Sequence, residues 1–270
     1  MRKISIAIVV SLLVLSLESC FDPPVYPEVP EINYKGVRFV QTDGQDSLIL
    51  SFDFQDGDGD IGLGNGDFYP PYHTYNVIVD STARFVYNES IDEQIIEEAS
   101  IRFVEFGDSG DKFPYYLISN YGTLVKVYSE SEIDLPPYSC KDYTFVTDLE
   151  GDTLGADKAD TILIEPNEFI NNIAIKFFRK RNGQLQDITS SFSPDGCTPP
   201  FNTRIPIFDE DNLGRPLRGT IHYPMISSGF ISQFLNDSIQ IEFYIYDRAL
   251  NKSNVVLAPA FTLPGLLGIN

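Results

Sequence analysis

The chain has 270 residues, and its 39 acidic and 19 basic side chains give a formal net charge of −20. This charge argues against nucleic acid as a partner, because phosphate binding needs clustered Lys and Arg, and it disfavours flat adsorption on anionic lipid. Hydrophobic residues make up 43% of the chain and aromatic residues 13%, with Trp absent, so a sizeable core is available.

The first twenty residues have the pattern of an export signal. Positive charge at Met1–Lys3 precedes an apolar run that ends at Leu17, and Cys20 lies where cleavage would occur. The run is shorter than the roughly 20 apolar residues of a membrane span. The end of this segment resembles the bacterial lipobox, although Glu18 replaces the usual small or apolar residue. We predict a lipoprotein signal peptide over 1–19 and lipidation of Cys20; the alternative is an ordinary secretory signal with an incidental cysteine.

A proline-rich segment follows the predicted lipidation site. Four prolines lie between residues 21 and 30, which forbids a helix and disfavours a central strand. Such a segment favours an extended, polyproline-like spacer. We predict that residues 20–33 form a tether holding the folded body, residues 34–270, away from the membrane surface.

Strand patterns dominate the body. Ser47–Phe54 alternates apolar and polar residues, and Ile173–Phe178 precedes an Asn182-Gly183 turn and a return strand over Gln184–Ile188. Further strands are predicted at Leu217–Tyr223, Ser238–Tyr246 and Asn254–Thr262. With one short helix predicted, over Ile91–Ala99, the pattern indicates a mainly β, antiparallel sandwich of the immunoglobulin-like kind.

Two of the predicted strands share one pattern. Asp46–Asp56 and Asp237–Asp247 are both alternating strands that end at an aspartate. They are either equivalent strands of two repeated domains or two strands of one sandwich that stop at the same end. We favour the second interpretation, which makes the region of about 80–158 a large insertion with strands near Ile101–Phe106 and Tyr115–Tyr128.

The most distinctive segment is the acidic loop, Asp56–Asp67. Alternating aspartates on a glycine-rich loop point several oxygens at one centre, as calcium requires. Asp56, Asp58, Asp60 and Asp67 occupy relative positions 1, 3, 5 and 12, which resembles the EF-hand loop. The segment departs from that loop because Ile61 replaces the turn glycine, Asp67 replaces the Glu, and a strand precedes it.

A second loop, Asp247–Asn254, is predicted to meet the acidic loop. In an immunoglobulin-like sandwich the loop after the second strand and the loop before the last strand lie at the same end. We therefore predict a calcium site built from Asp56, Asp58, Asp60, Asp67 and Asp247. Two alternatives are open: Arg248 and Lys252 pair with the aspartates without a metal, or the loop is a solvated acidic turn.

Two cysteines remain once Cys20 is lipidated. In an exported protein, Cys140 and Cys197 most economically form one disulfide, and the alternative is two buried thiols. Neither has a second Cys or His at zinc-ligand spacing.

Cys20 with its relaxed lipobox, Phe54–Leu63 and Asp247–Asn254 together resemble a group of largely uncharacterised lipoproteins of Bacteroidota. The resemblance covers the signal, the acidic loop and the last two strands. It implies outer-membrane placement and an immunoglobulin-like body. Some lipoproteins of such bacteria are accessory subunits of outer-membrane assembly, secretion or uptake machines. We favour the cell surface over the periplasmic face.

The sequence does not predict an enzyme. Only His73 and His222 are near-neutral bases, and no nucleophile elbow, phosphate loop or zinc-protease motif is present. We expect an accessory or scaffold subunit that contacts an integral outer-membrane protein. The alternative is a glycan-binding surface lipoprotein of a nutrient-uptake system, in which tyrosines of Phe68–Tyr72 and Pro136–Tyr138 stack on sugar rings.

Overall fold

The structure is a computed structural model that describes most of the body of the chain. The described residues are 25–41, 45–80, 115–121, 123–132, 139–145, 161–181, 183–193, 200–208, 214–234 and 237–268. Cys20, Cys197 and the predicted elements at Ile91–Ala99 and Ile101–Phe106 lie outside these residues, as does Pro136–Tyr138. Across the described ranges, no helix has the length and apolar character to cross a membrane.

Twelve strands account for most of the described secondary structure. In chain order they are β1 (Glu31–Val40), β2 (Ser47–Asp56), β3 (Tyr75–Asp80), β4 (Tyr115–Ser119), β5 (Leu124–Tyr128), β6 (Tyr143–Phe145), β7 (Thr161–Pro166), β8 (Ile173–Arg181), β9 (Gln184–Asp187), β10 (Leu217–Ile226), β11 (Ser238–Ile245) and β12 (Val256–Leu257). Two short helices are α1 (Phe230–Phe234) and α2 (Leu263–Leu266), and 3-10 turns lie at Glu130–Glu132, Glu168–Ile170 and Thr189–Phe192.

Seven of the strands form two antiparallel sheets that share one core. One sheet has the order β1-β2-β10 and the other the order β12-β11-β8-β9. The alternation predicted for β2 and β11 directs their apolar side chains inward, and the Phe52 and Phe243 rings lie 5.2 Å apart. Burying each such side chain contributes about 1.5–3 kcal/mol. The prediction of a mainly β, antiparallel sandwich is confirmed, and the immunoglobulin-like assignment stays a prediction.

The last predicted strand is much shorter than expected. β12 covers Val256–Leu257, whereas the sequence predicted a strand over Asn254–Thr262. Pro259 has no backbone N–H, so the ladder is interrupted there. The chain returns to β11 at Phe261, which exchanges backbone hydrogen bonds with Ile239.

A separate sheet of five strands is inserted between β2 and β8. Its order is β5-β4-β3-β7-β6, and its strands span Tyr75 to Pro166, a wider range than the predicted insertion of about 80–158. It buries its own apolar clusters, around Val77 on one face and Leu117 on the other. Cys140 lies just before β6 and is disulfide-bonded.

Candidate functional site: a buried carboxylate cluster

The acidic loop crosses the end of the sandwich where β2 and β11 stop. Asp56 is the last residue of β2 and is fully buried. Ile61 of this loop pairs with Asp247 in an isolated antiparallel bridge, and the Arg248 amide donates to the Asp60 carbonyl at 3.3 Å. The two loops that the sequence predicted to meet therefore do meet.

Three side chains of the acidic loop converge on one point. One carboxylate oxygen from each of Asp56, Asp58 and Asp60 lies within 4.8 Å of the others. The Oδ1 atoms of all three residues are buried, and none of them has a hydrogen-bond partner within the described part of the chain. A buried oxygen without a donor costs stability unless another group satisfies it. We call these three residues the carboxylate cluster.

The second oxygens of two cluster residues anchor the loops. Asp56 Oδ2 accepts from the Asp60 amide at 2.9 Å, and Asp60 Oδ2 accepts from the Ala249 amide at 3.0 Å. Asp247, beside the cluster, accepts from the Asn251 amide at 2.7 Å and from Asn251 Nδ2 at 2.8 Å. Hydrogen bonds thus fix the carboxylates of Asp56, Asp60 and Asp247, while each Oδ1 of the cluster lacks a partner among the described residues.

Two glycines allow the acidic loop to pack closely against other backbone segments of the same polypeptide. Gly59 has φ +65°, and a Cβ there would lie 1.9 Å from the Arg215 carbonyl oxygen. Gly62 has φ +115°, and a Cβ there would lie 2.6 Å from the Pro206 carbonyl oxygen. Only glycine combines this backbone with this packing.

Burial and mutual repulsion raise the pKa values at this end of the sandwich. The pKa of Asp56 rises to about 7, mainly through burial and then through Asp58 and Asp60. The pKa of Asp60 rises to about 6, through burial and then through Asp247 and Asp58. Burial also raises the pKa of Asp247. Among the ion pairs formed by described residues, none involves the cluster or Asp247.

The structure corrects the predicted role of Asp67. Its Oδ2 lies 2.5 Å from Arg248 Nη1 and accepts from the Gly64 amide at 2.7 Å. These contacts lower the pKa of Asp67 and place its carboxylate outside the cluster. Asp67, at the twelfth position of the loop, therefore does not join Asp56, Asp58 and Asp60 as the twelfth residue of an EF-hand loop joins its other ligands. The alternative of an arginine pair holds for Asp67, whereas Lys252 lies over the Tyr244 ring, 3.6 Å from its centroid.

Sequence reasoning missed two backbone contacts of the acidic loop. The Gly57 amide donates to the Pro27 carbonyl at 2.7 Å, and the Leu63 amide donates to the Ile205 carbonyl at 2.9 Å. A single sequence does not show which segment makes a backbone contact of this kind. The glycines of the loop were the available signal, since they mark places where another backbone approaches closely.

The two histidines have local hydrogen-bond partners. His73 is buried, and its Nε2 lies 2.6 Å from Asn76 Oδ1. His222 lies on the outer face of the β1-β2-β10 sheet, with Nδ1 2.8 Å from Ser51 Oγ.

An aromatic surface lies where the sandwich meets the five-stranded sheet. The Tyr69 and Tyr121 rings are 4.9 Å apart, with 66% and 44% of these residues exposed. Pro70, beside Tyr69 in the chain, lines a pocket of about 400 Å³ together with Val125 and Leu250. The pocket brings apolar and polar groups from both parts of the chain to one surface.

Comparisons with protein-family models, with curated proteins and with solved structures each found no match.

Proposed function

We propose that this chain binds a calcium ion at the carboxylate cluster, and that the ion holds the two loops at this end of the sandwich together. Two observations carry the proposal: one carboxylate oxygen from each of the three residues lies within 4.8 Å of the others, and each residue has a buried Oδ1 without a donor among the described residues. A divalent cation would satisfy all three and offset their repulsion. Asp60 of the cluster accepts from the Ala249 amide of the second loop, so an ion that fixes Asp60 also helps to hold that loop.

The donor chemistry favours calcium over the other common cations. The cluster offers hard carboxylate oxygens, which suit calcium, and no His or Cys, which zinc favours. Calcium accepts six to eight oxygens in flexible geometry, whereas magnesium demands a near-octahedral shell. The loop residues are held by backbone contacts in an irregular arrangement, which fits the more tolerant ion.

A thermal-unfolding experiment tests the calcium site. We expect the melting temperature to rise between chelator and millimolar calcium, because an ion that binds only the native state stabilises it. Asp58→Asn should remove that rise. The matched control is Asp53→Asn, on the outer face of β2, where Asp53 pairs with Lys35 at 2.9 Å; it should keep the calcium response. An unchanged melting temperature for the wild-type chain would dispose of the site.

For the whole protein, we propose a lipid-anchored accessory subunit of an outer-membrane complex, without enzymatic activity. The lipobox-like segment at Cys20 and the resemblance to lipoproteins of Bacteroidota support the anchor and the outer-membrane placement, and we favour the cell surface over the periplasmic face. A sandwich whose loops are fixed by an ion suits a subunit that presents a rigid surface to an integral membrane partner.

Affinity purification from gently solubilised membranes tests the accessory role. The chain should co-purify with an integral outer-membrane protein, identified by mass spectrometry. Cys20→Ser should abolish lipidation, measured as the mass of the mature N-terminus, and should reduce recovery of the partner. Recovery of the wild-type protein only as a free monomer contradicts the proposal.

The aromatic surface favours glycan binding as a second candidate function. Exposed tyrosines next to a pocket present flat apolar faces on which sugar rings stack. We expect Tyr69→Ala and Tyr121→Ala to weaken binding on a glycan array. Leu185→Ala, an exposed position on β9, should have no effect. An array on which the wild-type chain retains no ligand removes this candidate.

A further inference from the structure

The segment that leads from the predicted anchor to β1 lies directly against the acidic loop. The Pro27 carbonyl accepts from the Gly57 amide at 2.7 Å. A Cβ on Gly57 would lie 2.5 Å from the Tyr26 carbonyl oxygen and 2.8 Å from the Pro27 carbonyl oxygen. The absence of a side chain at Gly57 therefore permits this contact. We call residues 25–30 the tether segment.

The tether segment is partly captured by the body, in contrast to the free spacer predicted over 20–33. Val25 is 95% exposed, whereas Tyr26 is half-buried, and its buried hydroxyl has no hydrogen-bond partner among the residues that the structure describes. Pro30 is buried, and β1 begins at Glu31. Residues 27–29 between them are exposed, so the segment contacts the body at Tyr26, through the Pro27 carbonyl and again at Pro30.

Gly57 lies between two residues of the carboxylate cluster. Asp56 and Asp58 flank it in the sequence, and their side chains converge with that of Asp60. The orientation of the Gly57 peptide is therefore tied to the positions of the two carboxylates. When their charges are not balanced, repulsion favours an open loop, which no longer aims the Gly57 amide at Pro27.

We propose that a divalent cation at the carboxylate cluster controls whether the tether segment is docked on the body. With the cation bound, the Gly57 amide donates to the Pro27 carbonyl and Tyr26 packs against the body. Without the cation, the acidic loop opens and the tether segment is released from the body. The inference rests on the proposed calcium site and adds a consequence for the predicted anchor. Release frees residues 26–30, five residues that span about 15 Å in an extended polyproline form.

Hydroxyl-radical footprinting of the full-length protein in detergent tests this coupling. In calcium, oxidation of the Tyr26 ring should be slow, and chelator should increase it several-fold. Tyr69 is the matched control because its ring is well exposed in the docked state; its oxidation should be equally fast in both conditions. Melting temperature is measured on the same samples.

The two measurements separate failure of the coupling from failure of the calcium site. If calcium raises the melting temperature but leaves Tyr26 oxidation unchanged, the coupling is wrong and the site stands. If calcium changes neither quantity, the proposed site fails and the coupling fails with it.

Gly57→Ala provides the decisive variant. Its Cβ would meet the two tether carbonyls, so Tyr26 should be oxidised fast even in calcium, while calcium should still raise the melting temperature. Slow oxidation of Tyr26 in this variant would overturn the proposed contact. If Gly57→Ala does not fold, Tyr26→Ala replaces it: exchange of the Gly57 amide should then be fast in calcium, and slow exchange would overturn the proposal.

Discussion

An aspartate lies at each end of β11, and the charges that surround the two aspartates have opposite signs. Asp237, just before the strand, lies 2.8 Å from Arg179 and 3.1 Å from Arg181. Asp247, just after β11, is 1% exposed and lies beside three more carboxylates without an ion pair among the described residues. The fold therefore supplies its own cations at one end, and at the other it gathers buried negative charge that an external cation would balance.

The packing of the core also differs between the two ends of the sandwich. Near Asp237, α1 contributes to a cluster of phenylalanine rings with neighbouring centroids 5.3–6.2 Å apart. Its members are Phe177, Phe192, Phe201, Phe230 and Phe234. That end is closed by apolar burial together with the Asp237–arginine pairs, all of which the protein itself supplies. The acidic end is closed by loops whose buried carboxylate oxygens need a bound cation, so the stability of this end should respond to ions and pH.

The largest expected effect is on calcium-dependent stability at the acidic end. Asp56→Asn keeps the side-chain shape and an oxygen for the Asp60 amide, but removes the negative charge. With calcium at 100 times its dissociation constant, the wild-type chain should gain about 2.7 kcal/mol of unfolding free energy, and the variant should lose this gain. In chelator the variant should be more stable than wild type. Chemical denaturation in both conditions measures this; a lower stability of the variant in chelator would contradict the repulsion argument.

At the opposite end, the removal of an arginine should act without any calcium dependence. Arg179→Ala leaves Asp237 with a weaker partner in a mostly buried setting and should cost about 1–3 kcal/mol. Arg181→Ala is the matched control, because its side chain is 56% exposed, and it should cost less than about 1 kcal/mol. Denaturation curves with and without calcium should give the same differences. A calcium-dependent cost would break the distinction between the two ends.

The acidic end should also make stability depend on pH. In the folded, calcium-free protein, the pKa of Asp56 is about 7 and that of Asp60 about 6, above the ordinary value near 4 for an unfolded chain. The folded state binds these protons more tightly than the unfolded state. The contribution of Asp56 and Asp60 to stability is therefore present below about pH 4 and is lost as pH rises to about 7.

Melting temperatures across this pH window check the sign. In chelator they should fall from about pH 4 to about pH 7 for wild type and change less for Asp56→Asn. In calcium the decrease should be reduced, because the ion favours the ionised carboxylates. A chelated protein that becomes steadily more stable towards pH 7 would contradict the raised pKa values.

The smallest expected effect is at Asp67, the residue whose predicted role the structure corrects. Asp67→Asn breaks a partly exposed pair with Arg248 and should cost less than about 1 kcal/mol. Its calcium response should equal that of wild type, measured as the change in melting temperature. A variant that loses the calcium response would restore Asp67 to the ligand set.

The sequence by itself determined most of the sandwich strands and the meeting of the two loops, but it missed β1, which begins inside the predicted tether, and overestimated β12. Period-two alternation defines β2 and β11 because each residue on one face must enter the core, and Asn182-Gly183 marks the turn between β8 and β9. The common stop of β2 and β11 at Asp56 and Asp247 then places both loops at one end.

Only the tertiary structure decided which acidic side chains meet. Asp67 matches the spacing of a calcium loop, yet Arg248, distant in the sequence, holds its carboxylate away from the cluster. Gly57 signalled a close backbone approach, but Pro27 as its partner could not be read from the sequence, because the contact joins two backbones and uses no side chain. Local patterns specify which face a residue takes, whereas long-range pairing depends on how the loops pack, and a single sequence carries no record of that packing.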